Sequence, residues 1–117
     1  MHLKERIDVN SLGKLDDEDY PTFSTGQAAQ ILEVQEAFLR SLEGAEIVAP
    51  HRSRGGHRRY SRRQLILITR VRGQLDVGYT LAAAAHIIRL EDELHTARQT
   101  INRLQRRLAE LDSTEAD

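Results

Sequence analysis

The sequence predicts a mainly α fold that carries one short β-hairpin and ends in a coiled-coil helix. Three observations predict it. Two Ser-x-x-Gln capping boxes, Ser24 to Gln27 and Ser61 to Gln64, each open an apolar helical face. The pair Gly55-Gly56 sits at the centre of an arginine-rich run, where a tight turn joins two short strands. Beyond residue 86, apolar side chains recur at alternating steps of three and four.

Residues 1–19 are expected to form a disordered acidic tail, because they lack periodicity and end in Asp16-Asp17-Glu18-Asp19 shortly before Pro21. Order is expected from Tyr20 or Phe23. A first short helix over 24–32 carries Ala28, Ala29, Ile31 and Leu32 as one apolar face. Val34 lies in a tight connection, and a second helix over 35–44 carries Phe38, Leu39 and Leu42, with Gly44 as its stop. Leu39 and Leu42 are expected in the core and Phe38 half exposed. Ile47-Val48-Ala49 is a β-prone run closed by Pro50, and the Gly-Gly turn follows with Arg58 and Tyr60 on the returning strand. A third helix runs through Leu65, Ile68, Val71 and Leu75 to Gly78, and Thr80 caps a fourth.

That fourth helix carries Ile87, Leu90, Leu94, Ala97, Ile101, Leu104, Leu108 and Leu111 as one unbroken heptad seam with charged flanks. Over residues 80–112 it would be about 50 Å long, too long to bury its seam on so small a core. A second copy of the chain is the simplest partner, so a homodimer is expected. The organisation is therefore a tail over 1–19, a domain over 20–86, a dimerisation helix over 87–112 and a disordered tail over 113–117.

The 117 residues suffice for one small core and an extension. With no cysteine, disulfides, thiolate metal sites and a cysteine nucleophile are excluded. No apolar run approaches the roughly 18 residues of a membrane span, and the N-terminus has no apolar signal core; a soluble intracellular protein is expected. His51 and His57 have no carboxylate or thiol nearby to complete a metal site, the glycine pair fits no nucleotide motif, and no nucleophile elbow is present. Neither catalysis nor a cofactor is expected.

Net charge is only −1, but its distribution is uneven. Residues 51–75 hold Arg52, Arg54, Arg58, Arg59, Arg62, Arg63, Arg70 and Arg72 without one Asp or Glu. Such a block reads as a positive patch for phosphate. Two short helices, an arginine-rich hairpin and further helices form the pattern of a winged helix-turn-helix, with the second helix in a major groove and the hairpin on the neighbouring backbone.

Residues 20–90 resemble the DNA-binding domain of the MerR transcriptional regulators. Ser53-Arg54-Gly55-Gly56-His57-Arg58-Arg59-Tyr60-Ser61 fits that family's wing signature. Leu39-Arg40 and Glu43 fit its recognition helix, Val48-Ala49-Pro50 its lead into the wing, and Gly78-Tyr79-Thr80-Leu81 its connection between the third and fourth helices. The resemblance implies that Arg58 and Tyr60 brace the wing and touch DNA backbone, and that Arg40 reaches bases or phosphates. Ser24 and Thr25 would present hydroxyls and N–H groups to a phosphate. Arg52, Arg54, His57 and Arg59 would add wing contacts and Arg62 a phosphate contact. Departures fall in the second helix: Ser41-Leu42 stands where the family has paired aromatics, and Glu33 where it has a turn glycine. Gln35 suits adenine and Glu36 suits cytosine N4.

Without cysteines the chain resembles neither the metal- nor the redox-sensing members. It is similar to the small effector-domain-lacking members such as the HspR heat-shock repressors, whose signal arrives through a partner protein. The reading is a homodimeric, sequence-specific regulator of transcription on a near-palindromic operator in double-stranded DNA, in the cytoplasm and at the bacterial nucleoid. RNA polymerase or a signal-conveying protein is a further partner. The alternatives are a protein-interaction adaptor of the chaperone-modulator kind and an architectural DNA-bending factor.

Overall fold

The computed structural model describes residues 13–14 and 16–116. Its elements are β1 (Pro21–Ser24), α1 (Thr25–Leu32), α2 (Glu36–Gly44), β2 (His51–Arg52), β3 (Arg58–Ser61), α3 (Arg62–Val77) and α4 (Leu81–Ala116). They fall into two compact units, the first ending at Gly73 and the second beginning at Gln74.

Both capping boxes form. Ser24 Oγ accepts from the Gln27 N–H at 3.1 Å while the Gln27 side chain accepts from the Ser24 N–H at 2.9 Å. Ser61 and Gln64 repeat the exchange at 3.1 and 3.0 Å, so α1 and α3 both start on satisfied donors. Three helices also end alike. After α1, Val34 N–H reaches Ala29 O and Glu33 N–H reaches Gln30 O; Ile47 and Glu46 do the same to Leu42 and Glu43, and Tyr79 and Gly78 to Gln74 and Leu75. This pair of bonds needs one left-handed residue. It is Glu33 (φ 56°), Glu46 (φ 60°) and Gly78 (φ 112°) in turn.

α2 therefore ends at Gly44, but Glu46 and not the glycine makes the left-handed turn. The same turn ties the Ile47 and Val48 amides to Leu42 O. Ile47-Val48-Ala49 consequently forms no strand despite its β-prone side chains, and it contributes buried Val48 to the core instead.

The hairpin forms between β2 and β3, with His51 opposite Arg59 and Arg52 opposite Arg58. Ser53 N–H bonds His57 O at 2.8 Å, Gly56 N–H bonds Ser53 O at 2.9 Å, and Gly56 takes φ 84°. A third strand, unexpected from the sequence, completes the sheet in the antiparallel order β1-β3-β2. Pro21 pairs with Ser61, Phe23 with Tyr60 and Ser24 with Arg59, and an irregularity separates Pro21 from Phe23. An edge position is where a strand tolerates proline.

In the first unit the core comprises Ala28, Ala29, Leu39, Leu42, Val48, Tyr60, Leu65, Ile68 and Val71. Phe38 is half-buried, as expected. In the second unit Thr80 Oγ1 caps α4 through the Ala83 N–H at 3.1 Å, and Ala84 and Ile88 are buried. From Leu90 to Leu111 the leucines and isoleucine of the seam are 47–61% exposed in the single chain.

The chain ends depart from two sequence expectations. Of the tail over 1–19, residues 1–12 and 15 lie outside the described residues, but Glu18 and Asp19 pair with arginines of α3. The unexpected β1 explains this, since pairing Pro21 with Ser61 carries the preceding acidic residues to the start of α3. At the other end, α4 continues to Ala116 and residues 113–116 are helical. No glycine or proline interrupts them, and Thr114 Oγ1 bonds Glu110 O at 3.0 Å; Asp117 lies outside the described residues. No described helix is long and apolar enough to cross a membrane.

Candidate nucleic-acid interface

α2 buries Leu39 and Leu42 on one face and leaves Glu36 and Arg40 exposed one turn apart on another, while Gln35, the extended residue that precedes the helix, is exposed as well. The three residues picked from the sequence for base contact are thus all exposed, two of them on one face of the helix. Arg40 Nη1 lies 4.0 Å from Glu36 Oε1, an exposed pair one helical turn apart. Exposed pairs of this sort hold weakly and leave both side chains available to a ligand.

Strand alternation sorts the wing. Successive residues of β3 point to opposite faces, so Arg58 and Tyr60 point one way and Arg59 the other. Arg58 Nε donates to Glu43 Oε1 at 2.6 Å, and Arg52 Nη2 donates to Glu43 Oε2 at 3.0 Å. Arg52 Nη1 also donates to Gly56 O at 3.1 Å, tying its strand to the turn. Glu43 stands near the end of α2, so one carboxylate fastens both wing strands to the helix beside them. The Arg58 hydrogen bond holds the Glu43 carboxyl below the usual carboxylate range, against a smaller opposing effect of desolvation, and Arg52 adds to the lowering.

Arg54, His57 and His51 are exposed and Arg59 is half-buried. Among the described residues Arg54 and Arg59 have no carboxylate partner. Of the wing arginines, these two are the cations left for an external anion.

Tyr60 is 1% exposed, which corrects the role carried over from the resemblance: it braces the wing from inside and reaches no backbone in this conformation. Its hydroxyl is buried without a well-formed hydrogen bond, with Thr25 as its polar neighbour. Burial pushes the phenol up, and the Glu43 charge pushes it further. Ser24 and Thr25 are half-buried at the start of α1, where the Ser24 hydroxyl serves its own helix.

Farther along the arginine block, Arg62, Arg63 and Arg72 are engaged within the chain. Arg62 and Arg63 meet Glu18 and Asp19, and an Asp19 hydrogen bond holds the Arg63 pKa above its ordinary value. Arg72 Nη1 donates to Leu32 O at 2.6 Å and to Glu33 O at 3.2 Å, closing the end of α1. Sequence reasoning missed the clamp at Glu43 and the Glu18–Asp19 contacts, because each partner lies at least nine residues away. The one local signal was the absence of any acid inside the arginine block.

Residues 23–91, more than half of the chain, match the MerR HTH family of regulatory proteins. A Streptomyces coelicolor protein described as heat shock protein HspR is 36% identical over 96 residues, covering 80% of this chain and 58% of that protein. The chain thus spans little more than half the length of this relative. A MerR-family transcriptional regulator from Bacillus cereus shares the fold with a TM-score of 0.54 at 21% identity, covering 78% of this chain and 75% of that one. HiNmlR, a MerR-family regulator lacking the sensor domain and bound to promoter DNA, superposes with a TM-score of 0.54 at 18% identity, over 77% and 75% of the two chains.

Proposed function

The chain belongs to the MerR family of helix-turn-helix regulatory proteins, as an HspR-like member, and we propose that it works as a homodimeric, sequence-specific regulator on a near-palindromic operator. One observation carries this reading. A wing whose Arg54 and Arg59 have no carboxylate partner among the described residues is locked by Glu43 beside the exposed Glu36 and Arg40 of α2. Helix and wing thereby present one surface, suited to a major groove and the adjoining backbone. Gln35, Glu36 and Arg40 face base edges; Arg54, His57 and Arg59 lie along phosphates; Arg52 and Arg58 act chiefly by fixing the wing. Ser24, Thr25 and Arg62 add contacts at the starts of α1 and α3. A neighbour of the same fold bound to promoter DNA supports DNA as the ligand of this surface.

Homodimer formation follows from the seam. Leu90, Leu94, Ile101, Leu104, Leu108 and Leu111 form a stripe that a monomer leaves in water. Pairing two such helices sets the distance between the two wings and with it the half-site spacing.

Selection of bound duplexes from a random-sequence pool, at two salt concentrations, tests the reading. An inverted repeat that persists at the higher salt supports it. Salt-sensitive recovery without a motif overturns sequence specificity and favours the architectural alternative. The adaptor reading draws on one observation, the Glu36–Arg40 pair that offsets the single cation of α2. It predicts no recovery of DNA at either salt.

A further inference from the structure

The acidic run before β1 lies against the start of α3. Glu18 carboxylate oxygens are 3.0 Å from Arg63 Nη2 and 3.9 Å from Arg62 Nη2, and Asp19 Oδ1 accepts from Arg63 Nε at 2.7 Å. Backbone groups join in, with Arg63 N–H donating to Glu18 O at 3.0 Å and Arg62 Nη2 to Asp16 O at 3.3 Å. Two guanidinium groups and a first-turn helix N–H are the donors that a backbone phosphate takes from a DNA-binding protein. Here the Glu18 and Asp19 carboxylates hold the two guanidinium groups, and the Glu18 backbone carbonyl takes the helix N–H.

We infer that Glu18 and Asp19 are an autoinhibitory phosphate mimic, which occupies a DNA-backbone contact at Arg62 and Arg63 and is displaced when duplex DNA binds. The inference rests on the DNA-binding reading above. Two features make the contact regulatory in design. It is not needed to start the helix, because Ser61 and Gln64 already cap α3 reciprocally. It is also displaceable, since all four side chains are at least 43% exposed and exposed pairs are individually weak and screened by salt. The pairing of Pro21 with Ser61 tethers the mimic two residues away, so its effective concentration is high without strong contacts.

A charge cycle on the full chain tests it, using Glu18→Gln with Asp19→Asn, Arg62→Gln with Arg63→Gln, and the four together. The acid substitutions keep the backbone bonds, and circular dichroism melts check that each variant is folded. Binding to a labelled random-sequence duplex is read by fluorescence anisotropy between 50 and 200 mM salt. The acid pair is expected to tighten binding on the order of fivefold and to steepen the plot of log affinity against log salt by about 1–2. On the Arg62→Gln/Arg63→Gln background the same acid substitutions should give no gain.

An equal gain on both backgrounds would mean that the acids repel DNA at long range, and no gain on either would mean that DNA does not use this contact. Both results overturn the inference while leaving DNA binding intact. If the wild-type chain and every variant fail to bind duplex at 50 mM salt, the DNA-binding reading itself falls.

Discussion

The division of the wing into anchoring and DNA-facing arginines has a measurable signature in salt. Each phosphate contact on duplex DNA contributes about 0.9 to the slope of log affinity against log salt. A fourfold rise in salt, from 50 to 200 mM, thus weakens binding about 3.5-fold per contact and about 12-fold for two. Arg54 and Arg59, which have no carboxylate partner among the described residues, are expected to be two such contacts. Arg54→Gln with Arg59→Gln should weaken binding at low salt and flatten the slope by about 1.8, so the variant and wild-type lines converge as salt rises. Arg58→Gln with Glu43→Gln removes the 2.6 Å pair and the Arg52–Glu43 ion pair at no change in net charge, and Arg52 keeps its bond to Gly56 O. It should loosen the wing and lower affinity by a similar factor at every salt concentration, giving a line parallel to that of the wild type. Anisotropy titrations of a labelled operator duplex at four salt concentrations distinguish convergent from parallel lines. If the neutral double substitution flattens the slope by about 1, Arg58 leaves Glu43 for a phosphate in the complex, and the anchoring argument is refuted.

Three further substitutions test other parts of the structure. Glu33 takes a left-handed φ of 56° that glycine adopts without strain, and the backbone carbonyl that Arg72 uses survives the change. Glu33→Gly should therefore stabilise the fold by about 1 kcal/mol, seen as a rise of a few degrees in Tm; a fall would refute the strain argument. The Tyr60 phenol is raised above its ordinary value of 10.0, so the unfolded chain gives up this proton first. That contribution to stability is complete below pH 10 and is lost as pH climbs toward the folded value, so Tm should drop less steeply above pH 10 in Tyr60→Phe than in wild type. Leu104→Asp places a charge in the middle of the seam and should convert a dimer to a monomer in sedimentation equilibrium, whereas an unchanged mass would remove the seam as the interface.

Local chemistry was readable from the sequence wherever a residue acts on its near neighbours. Ser24 with Gln27 and Ser61 with Gln64 are three residues apart, and both exchanges form. Gly56 turns the hairpin, Thr80 caps α4, and the heptad seam lies on one continuous helix. β1 was not readable, because Pro-Thr-Phe-Ser is too short to alternate and its partner strand lies some forty residues on. Ile47-Val48-Ala49 misleads for a related reason. Its side chains favour a strand, but the left-handed turn at Glu46 fixes its amides on Leu42 first.

The arginine block shows most clearly how chain neighbourhood and spatial neighbourhood diverge. Along the sequence, eight arginines over residues 51–75 face no acid. In space, Glu43 takes Arg52 and Arg58, and Glu18 with Asp19 takes Arg62 and Arg63. Carboxylates remote in sequence thus convert half of a positive patch into fasteners of differing strength. The pairs at Glu43 are the less exposed: its side chain is 25% exposed, against 43% for Glu18. Less exposed pairs are less screened, so added salt or a competing polyanion should release Arg62 and Arg63 before Arg58. A wing that stays anchored while a second cation pair is uncovered would let DNA gain contacts without losing the geometry that positions α2.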